Sequence, residues 1–175
     1  MGQYFMIVNE SKKQFIEISD LGENNKFGYV GQGLNGIALG RLLTSSGADW
    51  QDDFYAEFGH PEKDFLHMGA WAGDKIVIAG DYDLADTNGI KTSTPDTPNF
   101  NLYSKAEDEY EDITDRVIGW LANNIQTSEM LAERAKRDSD LLKKLSDLVF
   151  VNQNQQMKES LENIIGKDWT KLLKK

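Results

Sequence analysis

The sequence predicts an α+β fold: a small, mainly antiparallel sheet with packed helices and a C-terminal helical extension. Three observations predict it. Two short apolar segments flank a turn-forming segment near the start of the chain, one clear strand follows in its middle, and apolar residues recur at helical spacing over residues 126–175. A chain of 175 residues is also long enough to bury a core without metal or disulfide bonds.

The predicted sheet is built from three segments. Residues 4–8 and 14–18 are rich in aromatic and β-branched side chains, and the polar residues 9–13 between them are typical of a turn, so we predict a β-hairpin. Residues 75–79, Lys-Ile-Val-Ile-Ala, form the clearest strand in the sequence. A Trp-Ala-Gly-Asp turn precedes this strand, and the sequence Gly-Asp-Tyr-Asp ends it.

Helices are predicted around this sheet. Residues 34–43 carry apolar side chains at helical spacing. Residues 27–30 are predicted as a short strand and residues 110–113 as an extended segment. Thr114 is then a suitable N-cap for a helix over residues 115–123.

A change in composition predicts two domains. Residues 1–125 hold 9 Lys and Arg against 21 Asp and Glu, a net charge of −12, whereas residues 126–175 hold 10 against 8, a net charge of +2. We therefore predict an acidic α+β domain over residues 1–125 and an amphipathic helical extension over residues 126–175. The apolar spacing in the extension predicts two helices, 128–151 and 154–173, with a break at Gly166.

Composition excludes several classes of site and partner. The formal net charge of −10 argues against nucleic acid and anionic membrane as partners. It permits a basic protein partner, a cation ligand or mimicry of a nucleic acid, and the simplest alternative is a solvated acidic surface. The absence of cysteine excludes disulfides, thiolate metal sites and cysteine nucleophiles. No apolar run is long enough to span a membrane and no signal peptide is visible, so we expect a cytoplasmic protein.

Acidic residues at the two ends of the central strand are candidate ligands. Asp74 precedes the strand, while Asp81, Asp83 and Asp86 follow it. Carboxylate oxygens are the ligands that Mg²⁺, Mn²⁺ and Ca²⁺ prefer, so the predicted metal ligands are Asp81, Asp83 and Asp86. The predicted ligand-binding residues are Trp71, Asp74, Asp81, Tyr82 and Asp83. The structural alternative is that Asp74 and Asp81 accept turn hydrogen bonds at the ends of one strand.

A glycine motif opens the predicted helix. Residues 31–36, Gly-Gln-Gly-Leu-Asn-Gly, match the G-x-G-x-x-G pattern of dinucleotide-binding turns. That motif should follow a strong strand in a βαβ unit, whereas residues 26–30 are a weak strand candidate. We therefore favour a glycine-rich turn that caps a helix. The sequence does not identify a cofactor.

Three sequence segments together resemble a known family. They are Gly-Gln-Tyr-Phe-Met-Ile-Val-Asn at residues 2–9, Trp-Ala-Gly-Asp-Lys-Ile-Val-Ile-Ala-Gly-Asp-Tyr at residues 71–82, and Leu-Tyr at 102–103 with Tyr-Glu-Asp-Ile-Thr at 110–114. This pattern is similar to a family of uncharacterised, mostly prokaryotic proteins and covers roughly residues 1–125. The family has no established activity, so the resemblance implies a single domain with these strands and assigns no catalytic residue.

Two functions follow as expectations. The favoured one is a non-enzymatic binding or regulatory protein that acts through protein–protein contacts of its acidic surface, for example an inhibitor in conflict between mobile elements such as phages and their hosts. Its C-terminal helices would brace the domain or self-associate. The alternative is a small divalent-cation-dependent hydrolase, or a small-ligand-binding domain, with its site at the ends of the central strand.

Overall fold

The computed structural model describes residues 3–21, 26–44, 66–83 and 101–174. The chain divides into two compact units, Met1–Thr114 and Asp115–Lys175. The first unit combines a sheet with helices and the second is helical, which confirms the predicted α+β class. The units meet at Thr114 and not at residue 125, so the helix that follows Thr114 belongs to the second unit.

A sheet with four described strands organises the first unit. Its strands are β1 (Phe5–Asn9), β2 (Gln14–Glu17), β3 (Ile76–Gly80) and β4 (Glu111–Asp112). Their order across the sheet is β3-β1-β2-β4. Strand β1 is antiparallel to both neighbours, and β4 is parallel to β2, so the sheet is mainly antiparallel as predicted.

The predicted hairpin is present and its turn is fixed locally. The turn residue Lys13 has a φ of 57°, and the backbone N–H of Lys12 donates a 2.9 Å hydrogen bond to Asn9 Oδ1. Asn9 is fully buried at the end of β1. A polar side chain in that position is stable because its amide makes hydrogen bonds on both sides, one within the turn and one to the segment before β3.

One face of the sheet is covered by a helix that sequence periodicity did not predict, α3 (Leu102–Glu109). The buried residues of this layer are Met6, Val8, Phe15, Ala79, Leu102, Ala106 and Tyr110. Side chains alternate between the two faces of a strand, so Glu17 lies on the same face as Phe15. The register agrees, because Glu17 is paired with Met6 of β1. An acidic residue therefore points to the side of the sheet that carries α3.

The other helices that the structure describes in the first unit follow β2. They are α1 (Ile18–Leu21), a 3-10 turn at Phe27–Tyr29, and α2 (Gly33–Leu43). Helix α2 buries Leu34, Ala38 and Leu42 at a spacing of four residues, which confirms the predicted helix. The strand predicted at residues 27–30 is wrong. The Val30 N–H bonds to the Phe27 carbonyl at 3.2 Å, so this apolar segment closes on itself as a 3-10 turn.

The second unit consists of helices with their own core. They are α4 (Thr114–Leu121), α5 (Ile125–Ala135), α6 (Ser139–Phe150), α7 (Gln155–Ile164) and a 3-10 helix at Trp169–Lys174. The single helix predicted over residues 128–151 is two helices, because the carboxylate of Asp138 caps α6 by accepting a 2.9 Å hydrogen bond from the Leu141 N–H. The predicted break at Gly166 is present, with a φ of 118°.

A buried polar contact fixes two helices of the second unit. The hydroxyl oxygens of Ser128 on α5 and Ser160 on α7 lie 2.8 Å apart, and the Gln156 amide donates to both at 3.3 Å. The mutual hydrogen bonds satisfy these buried groups.

Throughout the described ranges, no helix has both the length and the apolar character that crossing a membrane requires.

Candidate functional site

The predicted ligand residues lie at opposite ends of β3. Asp74 precedes the strand and Asp81 follows it, and β3 itself contains five residues. At about 3.3 Å per residue, the two carboxylates are separated by roughly 20 Å. The structure therefore does not bring the five predicted ligand-binding residues together in one site.

Asp74 anchors the hairpin turn. Its Oδ2 accepts a 2.8 Å hydrogen bond from the buried Asn9 amide and lies 3.9 Å from Lys12 Nζ. Lys12 Nζ also donates to the Ala70 carbonyl at 2.6 Å. These contacts join the segment before β3 to the turn after β1, so Asp74 has a structural role at this end of the sheet.

Trp71 is part of the core of the first unit. Its side chain is 0% exposed, and its indole N–H donates to Gln14 Oε1 at 3.2 Å. Its backbone N–H donates to the carbonyl of Leu42 at the end of α2. A fully buried indole with its polar atom already paired does not line a ligand cleft.

The carboxylates at the other end of β3 are held by protein donors. Asp81 Oδ1 accepts a 2.9 Å hydrogen bond from the Tyr4 N–H. Asp83 uses both oxygens, since Oδ1 accepts from Gln3 Nε2 and Oδ2 from the Gly80 N–H, each at 2.8 Å. A side chain at Gly80 would collide with the Gln3 amide, because a Cβ there would lie 2.0 Å from Nε2. This end of the strand is therefore a tightly bonded turn.

The predicted three-carboxylate metal site is only partly described. Asp81 and Asp83 lie in one turn together with the largely exposed Tyr82, whereas Asp86 lies outside the described residues. Within the described parts of the chain, no group of three or more His, Cys, Asp and Glu side chains is arranged to hold a metal ion. A metal at Asp81, Asp83 and Asp86 stays a prediction.

A buried asparagine connects this turn to α3. Asn101 Nδ2 donates to the carbonyls of Asp81 at 2.9 Å and Asp83 at 3.0 Å. Its Oδ1 accepts a 3.0 Å hydrogen bond from the Ser104 N–H and so caps the helix. One side chain thus fixes the start of α3 against the end of β3.

Carboxylates from three other elements add negative charge around Glu17, which lies on the face of the sheet that carries α3. We name them the Glu17 cluster; its members are Glu17 of β2, Asp20 of α1, Glu107 of α3 and Asp112 of β4. Partial burial, followed by the negative charges of Asp112, Asp20 and Glu107 in that order, raises the pKa of Glu17 to about 7. Within the described ranges, no Lys or Arg side chain forms an ion pair with Glu17 or Glu107.

The negative potential extends from the Glu17 cluster to the end of β3. Glu107 is exposed, and the partial desolvation that remains raises the pKa of its carboxyl, with the charges of Asp108 and Asp81 adding to the rise. Burial also raises the pKa of the Tyr103 phenol above its usual range, with Glu17, Glu107 and Asp81 adding to it. The unit as a whole, residues 1–114, holds 8 Lys and Arg against 20 Asp and Glu, a net charge of −12. Perturbed carboxyl groups gathered on one face are typical of functional sites.

Sequence reasoning missed this cluster, although one signal was present. In the strand at residues 14–18, strict alternation places Glu17 on the side of Phe15, opposite Ile16 and Ile18, so both sides of the strand carry apolar residues. An acidic residue on the core face of a strand is unusual and identifies a candidate. Glu107 gave no such signal, since the helix that carries it was not predicted.

The glycine motif has a structural explanation. A Cβ at Gly36 would lie 2.5 Å from the Gly31 carbonyl oxygen, and Gly33 has a φ of 53°. Helix α2 follows a 3-10 turn, and β1 is antiparallel to both of its neighbours, so the described elements contain no βαβ unit around the motif. The favoured interpretation, a glycine-rich turn at the start of a helix, accounts for these contacts.

Comparison with protein-family models, with curated proteins and with solved structures found no match to this chain. The resemblance of residues 2–9 and 71–82 to an uncharacterised family therefore stays a prediction.

Proposed function

We propose that the first unit is a non-enzymatic binding module that recognises a basic protein surface through the Glu17 cluster. The observation that carries the proposal is the environment of Glu17. This half-buried carboxyl is surrounded by acidic groups from three other elements, and no basic side chain among the described residues forms an ion pair with it. A Lys or Arg side chain of a partner would supply the missing positive charge.

The electrostatics favour such a partner at two distances. Far from the surface, the net charge of −12 on residues 1–114 attracts a basic protein and accelerates encounter. At contact, an ammonium or guanidinium group beside Glu17 stabilises the charged carboxylate and lowers its pKa. Charge pairs in a half-buried site are also screened less than those on an open surface.

The alternative of a cation-dependent hydrolase has less support. The oxygens of Asp83 and one oxygen of Asp81 already accept hydrogen bonds from the protein. Asp74 lies at the far end of β3 and is engaged by Asn9. A metal would have to share these oxygens with their protein donors, whereas a basic partner at the Glu17 cluster competes with none of the described side-chain contacts of Glu17.

The second unit is proposed to brace the module or to self-associate. It exposes two apolar side chains at the end of α6, Phe150 at 62% and Val151 at 73%. Phe150 stacks on the buried Trp169 with ring centroids 5.7 Å apart, so it is held in place rather than free to fold inward. An ordered apolar side chain left at the surface favours a contact role for these helices.

The test uses decalysine as a probe of the full-length chain. Isothermal titration calorimetry at low salt and pH 7 should detect binding that releases protons, because the lysine ammonium groups replace protons at Glu17. Measurements in two buffers of different ionisation enthalpy reveal that release. Decaglutamate, which has the opposite charge, should not bind.

Matched variants separate the Glu17 cluster from general charge. The double substitution Glu17→Gln with Glu107→Gln should weaken decalysine binding by about fivefold or more and abolish proton release. The control carries the same change at two exposed sites of the second unit, Glu129→Gln with Glu159→Gln, and should bind as the wild type does. Equal affinity of both double variants for decalysine would contradict the proposal.

A further inference from the structure

Among the strands that the structure describes, β3 lies at one edge of the sheet. It pairs with β1 on one side, and the order β3-β1-β2-β4 places no described strand on its other side. Its sequence, Ile-Val-Ile-Ala-Gly, contains neither a charged residue nor proline, the two features that commonly protect an edge from pairing. Ile76, Val77 and Ile78 are all only half-buried.

The ladder with β1 identifies the backbone groups that face outward. The Glu10 N–H donates to the Lys75 carbonyl, and the Asp81 N–H donates to the Tyr4 carbonyl, so residues 75 and 81 face β1. Backbone groups of an antiparallel strand alternate in direction with a period of two. Residues 77 and 79 therefore also face β1, and the backbone groups of residues 76, 78 and 80 face away from it.

Gly80 is closed by its own turn. Its N–H donates to Asp83 Oδ2 at 2.8 Å, and its carbonyl accepts from the Asp83 N–H at 3.1 Å. The outward groups left on the edge are the N–H and C=O of Ile76 and of Ile78. None of these four groups takes part in a hydrogen bond with another described residue.

We propose that two copies of this chain associate by antiparallel pairing of their β3 strands, centred on Val77. In this register Ile76 of each copy lies opposite Ile78 of the other. The pairing forms four backbone hydrogen bonds and uses all four outward groups, so the edge is complementary to itself. Such a contact is isologous, with the same residues on both sides of a two-fold axis.

The side chains fit the same register. Ile76 and Ile78 point to one face of the extended sheet, where the two copies bring four isoleucines together, and the two Val77 side chains meet on the other face. Pairing of the two strands would bury Ile76, Val77 and Ile78 of each copy further. Cross-strand pairs of β-branched residues stabilise sheets, so apolar burial adds to the hydrogen bonds.

Charge complementarity favours a second copy as the occupant. In the Val77-centred register, Lys75 of one copy is diagonal to Asp81 of the other, and both lie on the same face of the sheet. The Lys75 side chain is 48% exposed and its Nζ already lies 2.8 Å from Glu10 Oε2, so on this diagonal it would bridge Glu10 of its own copy and Asp81 of the other, and the arrangement occurs twice by symmetry. A different protein would need its own strand with this combination of charge and spacing.

Analytical ultracentrifugation of the full-length chain over a concentration series tests the proposal. The wild type should show a reversible monomer–dimer equilibrium. Ile78→Pro removes an outward N–H that β1 does not use, and it should raise the dimer dissociation constant at least tenfold. Lys75→Glu, which keeps the backbone groups, should raise it about threefold or more, whereas Lys105→Glu on the exposed side of α3 should leave it unchanged.

Hydrogen exchange locates the interface independently of any variant. The amides of Ile76 and Ile78 should exchange slowly in concentrated samples and quickly in dilute ones. The amides of Val77 and Ala79, which bond to β1, should be protected at both concentrations. A chain that remains monomeric at millimolar concentration overturns the proposal, and so does a dimer that neither Ile78→Pro nor Lys75→Glu weakens, since its interface would lie elsewhere.

Discussion

The side-chain amide of Asn101 donates a 2.9 Å hydrogen bond to the backbone carbonyl of Asp81, and this contact ties α3 to the end of β3. Helix α3 carries Glu107, whereas the strand β2 carries Glu17. The convergence of the Glu17 cluster therefore depends on a buried polar residue that is not itself acidic.

Replacing Asn101 should destabilise the first unit. Asn101→Ala removes the cap of α3 and leaves the carbonyls of Asp81 and Asp83 without their donor, so we expect a loss of about 2–3 kcal/mol in the free energy of unfolding. Urea denaturation measures it. Asn154→Ala, which removes the cap of α7 and one exposed hydrogen bond, is the matched control and should cost only about 1 kcal/mol. Equal losses in the two variants would contradict the linking role of Asn101.

The stability of the protein should depend on the charge of Glu17. Its pKa rises from the ordinary 4.5 to about 7 on folding, so the protonated form is favoured in the folded state. The contribution to stability is complete below pH 4.5 and is lost as the pH rises through 7. Glu17→Gln keeps the shape of the side chain without the charge, and it should be more stable than the wild type at pH 8 by roughly 1–2 kcal/mol, a value reduced for solvent screening.

Thermal unfolding of Glu17→Gln at pH 5 and pH 8 checks this expectation. The melting temperature of the variant should exceed that of the wild type at pH 8, and the difference should shrink towards pH 5. Glu129→Gln, at an exposed position of α5, should show no such trend. A Glu17→Gln variant that is less stable than the wild type at pH 8 would mean that the carboxylate has a favourable partner.

Two glycines of α2 should respond to alanine in opposite directions. A Cβ at Gly36 would lie 2.5 Å from the backbone oxygen of Gly31, so Gly36→Ala forces a backbone shift and should cost about 1–3 kcal/mol. A Cβ added at Gly40 would lie in open space, so Gly40→Ala should stabilise the helix by about 0.5–1 kcal/mol. Chemical denaturation of both variants measures the difference. A neutral or stabilising Gly36→Ala would remove the packing explanation of the motif.

The cap of α6 offers a test in the second unit. Asp138 accepts the Leu141 N–H at 2.9 Å and lies 3.4 Å from Arg134 Nη2, so Asp138→Ala should destabilise the unit by about 1 kcal/mol. Asp140→Ala removes an exposed acidic residue from the first turn of the same helix without removing a cap, and should cost only a few tenths of a kcal/mol. Circular dichroism during urea denaturation compares the two, and similar losses would argue against capping by Asp138.

Local sequence patterns predicted much of the fold. The turn residues after Asn9 and the β-branched strand before Gly80 predicted the hairpin and β3, and the spacing of Leu34, Ala38 and Leu42 predicted α2. The pairing of β3 with β1 and of β4 with β2 was not predictable in this way, since it depends on contacts between residues far apart in the chain.

The helix that contributes to the Glu17 cluster was difficult to predict because its sequence is polar. Residues 102–109 have few apolar side chains, so α3 lacked a periodic signal and forms because Leu102 and Ala106 pack on the sheet while Asn101 caps it. Trp71 and Asp74 are close to Asp81 in the sequence. In the structure the extended strand β3 lies between Asp74 and Asp81 and separates them in space. Strand alternation places Glu17 beside Phe15, but the burial of both faces of the strand and the acidic neighbours of Glu17 required the tertiary structure.

The ionisation of Glu17 is the most direct test of the proposed role of the Glu17 cluster. NMR titration of the ¹³Cδ resonance of Glu17 in the full-length chain should give a midpoint near pH 7, and adding decalysine should lower that midpoint. A midpoint near the ordinary value of 4.5, unchanged by decalysine, would contradict both the uncompensated acidic environment and the basic partner that we propose for it.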